Sequence, residues 1–248
     1  MGFWIHPHRR KGLISAFPCS VPITTVAILR SVSGKYALMW SGGKDSALVL
    51  NRARSIGLNV ARLINFYEAA TGRVRFHATA VAMIEAQAAA IGIELVAIGT
   101  SWAGMEARLV EELDAIRSEG FAGVVLGDIH LADARAWYEQ RLSAAGLEHV
   151  EPIWGEPPGR LLGEIVQTGG RAVVTCVDLT RLDSSWLGRI IDQRFLADIA
   201  ATGVDPCGEN GEYHSFAFAG PAFARELKWR PGEMRKDARF TQLDVKPA

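Results

Sequence analysis

Ala37-Leu38-Met39-Trp40-Ser41-Gly42-Gly43-Lys44-Asp45-Ser46 is an apolar run that breaks into a glycine turn and then into helix-forming sequence. Tyr36 to Trp40 reads as a strand, and Asp45 to Ile56, stopped by Gly57, reads as a helix. Where a parallel strand ends and its helix begins, unpaired N–H groups and the positive end of the helix dipole collect anions. Gly42 and Gly43 allow close backbone approach to a phosphate, Ser41 and Ser46 add hydroxyls, and Lys44 adds a cation. Asp45 opposes a bare phosphate but suits Mg2+ bridging phosphates, so it is the candidate metal ligand.

The turn is not a Walker loop. GxxxxGK[ST] would need glycine in place of Leu38 and serine or threonine in place of Asp45. A kinase or GTPase-type motor is therefore disfavoured.

Outward from the turn, short apolar runs alternate with helix-period segments that close on glycine. Predicted strands cover Asn59 to Phe66, Ile93 to Ile98 and Gly123 to Leu126. Predicted helices cover His77 to Ile91, Met105 to Ser118 and Leu131 to Ala145. Strands apolar throughout and separated by helices fit a parallel sheet covered on both faces. A composition shift at Gly155 to Gly159, with Pro157 and Pro158, marks a boundary. Beyond it are expected a helix over Leu161 to Gln167, a strand over Ala172 to Val177, a helix from Ser184 to about Ala201, and an aromatic strand over Tyr213 to Phe218. The expected organisation is residues 1–35 as an extension, 36–154 as a nucleotide-binding domain, 155–228 as a smaller domain, and 229–248 as a loosely held tail.

The 248 residues carry 27 Lys plus Arg against 27 Asp plus Glu, so no bulk charge draws the chain to nucleic acid or a membrane surface. Cys19, Cys176 and Cys207 are odd in number and widely spaced, which suggests neither a disulfide framework nor a cysteine zinc site. Arg9, Arg10 and Lys11 precede a mildly apolar run, Leu13 to Leu29, that Pro18, Ser20, Pro22, Thr24 and Thr25 interrupt. It reads as a disordered extension or a misassigned start rather than an export signal, and a cytoplasmic location is expected.

The turn resembles the SGGxDS motif of the PP-loop ATP pyrophosphatases. The resemblance extends through Arg75-Phe76-His77, Glu85-Ala86-Gln87-Ala88, Gly127-Asp128-Ile129, Pro152-Ile153-Trp154-Gly155, Cys207-Gly208-Glu209-Asn210-Gly211-Glu212-Tyr213-His214 and Gly220-Pro221. Together these look like the diphthine–ammonia ligase (diphthamide synthase) family. The resemblance implies an α/β fold: a Rossmann-like HUP domain of the PP-loop type, with a parallel sheet that binds ATP, followed by a smaller C-terminal α/β substrate domain. It also implies adenylation of a carboxylate, release of pyrophosphate, and displacement of AMP by ammonia.

On that basis ATP and Mg2+ are the expected cofactors, and Ser41, Gly42, Gly43, Lys44, Asp45, Ser46 and Asp128 the nucleotide-binding residues. Lys44, Asp45, Glu209, Glu212 and His214 are the catalytic candidates, the last three as general base or ammonium site. Bracing of a turn is the alternative for Glu209 and Glu212, and helix capping the alternative for Asp128. Cys207 as a nucleophile is the weaker reading, because a buried lone cysteine usually behaves as a small hydrophobe. His77 reads as a cap, with a substrate contact as the alternative, and Arg135 and Glu139 as a pair one helical turn apart, at charged positions of the family.

Trp137, Ala219 and Ser215 depart from the family pattern and leave the acceptor open. The alanine-rich sequence suggests a bacterial member. Expected partners are ATP, ammonia and a carboxylate substrate, with a homodimer allowed and neither membrane nor nucleic acid expected. The rival readings are a PP-loop tRNA-modifying enzyme and a non-catalytic ATP-binding protein.

Overall fold

The structure, a computed structural model, describes residues 34–75, 77–236 and 239–248, so the expectation for residues 1–33 lies outside the described residues. Element by element, the first part of the chain runs β1 (Lys35–Met39), α1 (Lys44–Ser55), β2 (Asn59–Glu68), β3 (Arg73–Val74), α2 (Val81–Ile91), β4 (Glu94–Thr100), α3 (Met105–Ser118), β5 (Phe121–Val125), α4 (Ala132–Ala144) and β6 (Glu148–Val150). Its parallel strands lie in the spatial order β4-β2-β1-β5-β6, while β3 pairs antiparallel with the last residues of β2. This is a doubly wound sheet, in which the chain leaves the centre in opposite directions from β1 and β5.

Alternation along the central strands explains why they are apolar on both faces. Leu38, Leu63 and Val125 face one layer, packed with Leu48, Val49 and Ile84 of α1 and α2. Their neighbours Ala37, Ile64 and Val124 face the other, packed with Leu109, Leu113 and Leu142 of α3 and α4. Both faces are covered, so the strands are mostly apolar, and the polar exceptions on β2 are partnered, Asn65 donating to Trp40 O and Arg62 pairing with Glu94 and Glu119. Gly92 ends α2 in the left-handed region at φ 80° and returns its N–H to Ala88 O, as a helix-stopping glycine does.

The second part adds α5 (Pro158–Gln167), β7 (Arg171–Asp178), a 3₁₀ turn at Ser184–Trp186, α6 (Gln193–Ala200), β8 (Tyr213–Ala219), β9 (Trp229–Lys236) and β10 (Phe240–Pro247). Its sheet has the order β8-β7-β10-β9 and is antiparallel throughout. The apolar layer of α1 and α2 continues without a break into Leu161, Val174, Phe195 and Tyr213. All described residues belong to one compact unit.

Three sequence expectations need correction. Residues 229–248, expected to be loosely held, form β9 and β10, and β10 buries Leu243 and Val245 against the sheet. β9 reads as polar because it is an edge strand, carrying Pro231 and six exposed residues. The helix expected from Ser184 to Ala201 is interrupted, since Ile190 bridges Val173 and a new helix starts at Gln193, capped by Asp192 accepting from Phe195 N at 2.9 Å. The helix expected from His77 begins only at Val81, because Ala80 is extended. His77 is thereby freed from helical geometry.

Candidate active site

The cleft opens at the carboxyl ends of β1 and β5, where the strand order reverses, with a cavity volume of about 240 Å³. Ser41 and the first turn of α1, Lys44 to Ser46, form its floor, Gly127 and Asp128 one wall, and residues of the segment Cys207–Ser215 the other.

The turn has little freedom. Gly42 sits at φ 82°, and a Cβ there would lie 2.5 Å from Ile84 Cδ1; one on Gly43 would lie 2.9 Å from His77 Cε1. Gly43 N donates to Ser41 Oγ at 3.2 Å, and Lys44 N donates to Ser215 Oγ, also at 3.2 Å. Serine hydroxyls thus occupy the N–H groups that an anion would take. Ser46 Oγ donates to Gly43 O at 3.0 Å and lies 3.3 Å from Ser41 Oγ.

Lys44 is 3% exposed, and its Nζ donates to Asp45 Oδ2 at 2.8 Å and to Cys207 O, with the Tyr213 ring centroid 4.9 Å away. Burial works against its charge, but Asp45, Tyr213 and Cys207 hold the ammonium above the ordinary lysine range. Two carboxyls in the walls are pushed the opposite way. Burial, with Asp45 and Asp128 nearby, raises Glu209 to about 7, although its Oε1 accepts from Ile129 N at 2.8 Å. Burial and the charge of Glu151 raise Asp128 to about 6.

His77 and His214 stack with ring centroids 4.8 Å apart on the cleft wall. Burial holds both below the ordinary histidine range, and each is neutral near pH 7. The His77 partner is the carbonyl Ser215 O, 3.1 Å away, so Nδ1 carries the proton and Nε2 the lone pair.

Residues 34–149 match the family model described as the diphthamide synthase N-terminal domain, and residues 157–247 match that of the diphthamide synthase C-terminal domain. The chain belongs to the diphthamide synthase family. Membership supports the coarser reading of an ATP-using PP-loop enzyme. No curated protein matches the chain. Among solved structures, the U34-tRNA thiolase NcsA from Methanococcus maripaludis with its 4Fe-4S cluster aligns at 15% identity and a TM-score of 0.34. The alignment covers 54% of this chain and 55% of that one, so the chain spans about half of that protein's length.

The diphthamide synthase C-terminal domain supplies Ser215 and His214 to the cleft, but it holds Glu212 away from it. Glu212 is buried among its own loop, accepting from Asp205 N at 3.3 Å and Asn210 N at 3.1 Å, with Arg181 at 3.6 Å. In these contacts Glu212 takes the turn-bracing geometry given as its alternative. Cys207 lines the cleft, yet burial pushes its thiol up and Sγ donates to Pro158 O at 3.2 Å, so it rests as a thiol and is no ready nucleophile.

Arg135 is carried across to Glu151, 3.1 Å away, and lies 4.4 Å from the Trp154 ring centroid, instead of pairing along its helix with Glu139. Ser215 and Tyr138 line the cleft without having been singled out for it from the sequence, and His77, favoured as a cap, lines it too. Tyr138 was legible only as one more residue of an amphipathic helix.

Proposed function

We propose that this diphthamide synthase family member is an ATP-dependent ligase that adenylates a carboxylate, releases pyrophosphate, and lets ammonia displace AMP to form an amide. The observation that carries the reading is the cleft floor: two backbone N–H groups of a glycine turn beside a buried ammonium at the N-terminus of α1. Those groups suit the β and γ phosphates. Each charge-assisted hydrogen bond contributes about 1.5–3 kcal/mol, so several reach the roughly 8 kcal/mol of micromolar binding.

Asp45 fits magnesium. Its Oδ1 is buried and accepts no hydrogen bond, and a divalent cation shared with phosphate oxygens would satisfy it. When bound, the metal would neutralise charge on the phosphates.

In the first half-reaction a carboxylate oxygen bonds to the α-phosphorus while the α–β anhydride bond breaks, and pyrophosphate leaves with Lys44 against its charge. In the second, the ammonia lone pair adds to the acyl carbon, the bond to AMP breaks, and the nitrogen sheds one proton. Glu209, half ionised at about 7, is suited to accept that proton near neutral pH. Asp128 at the end of β5 is suited to the ribose hydroxyls or to the metal.

The reading is tested by measuring pyrophosphate and AMP formed from ATP with a panel of carboxylates, with and without ammonium. Ammonium-stimulated release supports it. Stimulation by tRNA alone would point to tRNA modification, and nucleotide binding without turnover to a non-catalytic role.

A further inference from the structure

Gln87 projects from α2 beneath the PP-loop and is fully buried. Its Nε2 donates to Gly42 O at 2.9 Å and to Ala217 O at 2.6 Å, and its Oε1 accepts from Trp40 Nε1 at 2.9 Å. An indole N–H only donates and a backbone carbonyl only accepts, so the amide has a single orientation, with every one of these bonds satisfied. Leucine or methionine would fill comparable space without the cost of burying an amide. The three bonds therefore do something that packing alone does not.

One of the three meets the peptide between Gly42 and Gly43, and the other two, to Ala217 O and from Trp40 Nε1, fix the amide that makes it. Gly42 O receives a second bond from Ala217 N of β8, at 2.9 Å. A trans peptide is planar, with its C=O and N–H opposed. Holding Gly42 O against α2 and β8 turns the Gly43 N–H to the other side, where it meets Ser41 Oγ on the cleft floor. Side chains cannot hold Gly42 in place, since it has none, and its positive φ leaves it otherwise free to flip.

We infer that Gln87 is a positioning residue for phosphate binding: it sets the Gly42–Gly43 peptide so that its N–H faces the pyrophosphate, and it ties that orientation to strand β8 of the second sheet. The inference rests on the proposed reading that the loop takes pyrophosphate. AMP lacks the β and γ phosphates and gives the control that a purely structural role would not pass.

The experiment is calorimetric titration of the full chain and of Gln87→Met with Mg–ATP, inorganic pyrophosphate and AMP, together with steady-state kinetics. Pyrophosphate and ATP affinity should each weaken about tenfold or more, the worth of one buried hydrogen bond or slightly more, while AMP affinity stays within about twofold. KM for ATP should rise by more than kcat falls. Trp40→Phe keeps Gln87 but frees its amide to turn over, and should give the same selective loss at about threefold; it decides the question should Gln87→Met not fold. Equal losses for pyrophosphate and AMP, or no loss, overturn the inference alone. A wild-type protein that binds neither ATP nor pyrophosphate overturns the functional reading and the inference with it.

Discussion

Lys44 Nζ lies 2.8 Å from Asp45 Oδ2, so two residues adjacent in the chain form an ion pair on the cleft floor. Neighbouring helical residues point apart. The pair therefore requires the lysine to fold across the start of α1, where Cys207 O from the second domain holds it. The pair leaves Asp45 Oδ1 buried and unbonded, an arrangement suited to a charged ligand.

Asp45→Asn removes the charge that sustains the Lys44 ammonium and the oxygen suited to magnesium. Pyrophosphate release should fall about 100-fold or more, in line with the loss of one preorganised electrostatic group, and the thermal midpoint should fall as well, because Lys44 is left buried without its charge partner. Turnover at the wild-type rate in a coupled pyrophosphate assay would remove Asp45 from the chemistry.

Gly42→Ala places a methyl group 2.5 Å from Ile84 Cδ1 on a residue at φ 82°. The strain should cost about 1–3 kcal/mol of stability and shift the Gly43 N–H, so ATP binding is lost before folding is. Denaturant unfolding and nucleotide titration on the same sample separate the two effects.

Glu209 titrates at about 7 when folded, against about 4.3 in an unfolded chain. Between those values the folded protein keeps a proton that the unfolded chain has lost, so this group makes stability fall as pH rises across the window. Glu209→Gln should flatten that slope. If Glu209 accepts the proton from nitrogen, amide formation at constant free ammonia should rise through about pH 7, and the variant should lack that limb. A variant with the wild-type profile would assign the limb to another group.

Glu212→Ala should act on stability. It removes the buried carboxylate that holds the half-buried Asp205 N–H and the exposed Asn210 N–H, at a cost of about 1–3 kcal/mol. A normal thermal midpoint with amide formation abolished would return Glu212 to the reaction.

Deleting residues 229–248 removes β9 and β10 and exposes the edge of β7. The truncated chain should aggregate, as an uncovered apolar strand edge does. Soluble, cooperative unfolding of the truncated protein by circular dichroism would contradict the packing of Leu243 and Val245.

The parallel sheet was legible because its signals are local. Leu38 and Val125 sit in short apolar runs, and the helices α1, α2, α3 and α4 close within two residues of a glycine, Gly57, Gly92, Gly120 and Gly146. β9 was not legible, because an edge strand needs no apolar face and Pro231 and Gly232 read as a turn. Glu209 and Glu212, three residues apart in one motif, could not be told apart. One reaches Ile129 N across the cleft and the other folds back on its own loop, and nothing in their spacing encodes that difference.

By itself the sequence determined the alternation of strands and helices and the glycine turn at the tip of β1, because a hydrophobic period and a residue without a Cβ act within a few positions of themselves. Only the tertiary structure decided which groups meet that turn. Ser215 reaches Lys44 N from 171 residues away, and Gln87 joins Gly42 to Ala217 across 45 and 130 residues. Such contacts exist only once two sheets share one apolar layer, and it is that packing which brings Ser215 and Gln87 to the turn.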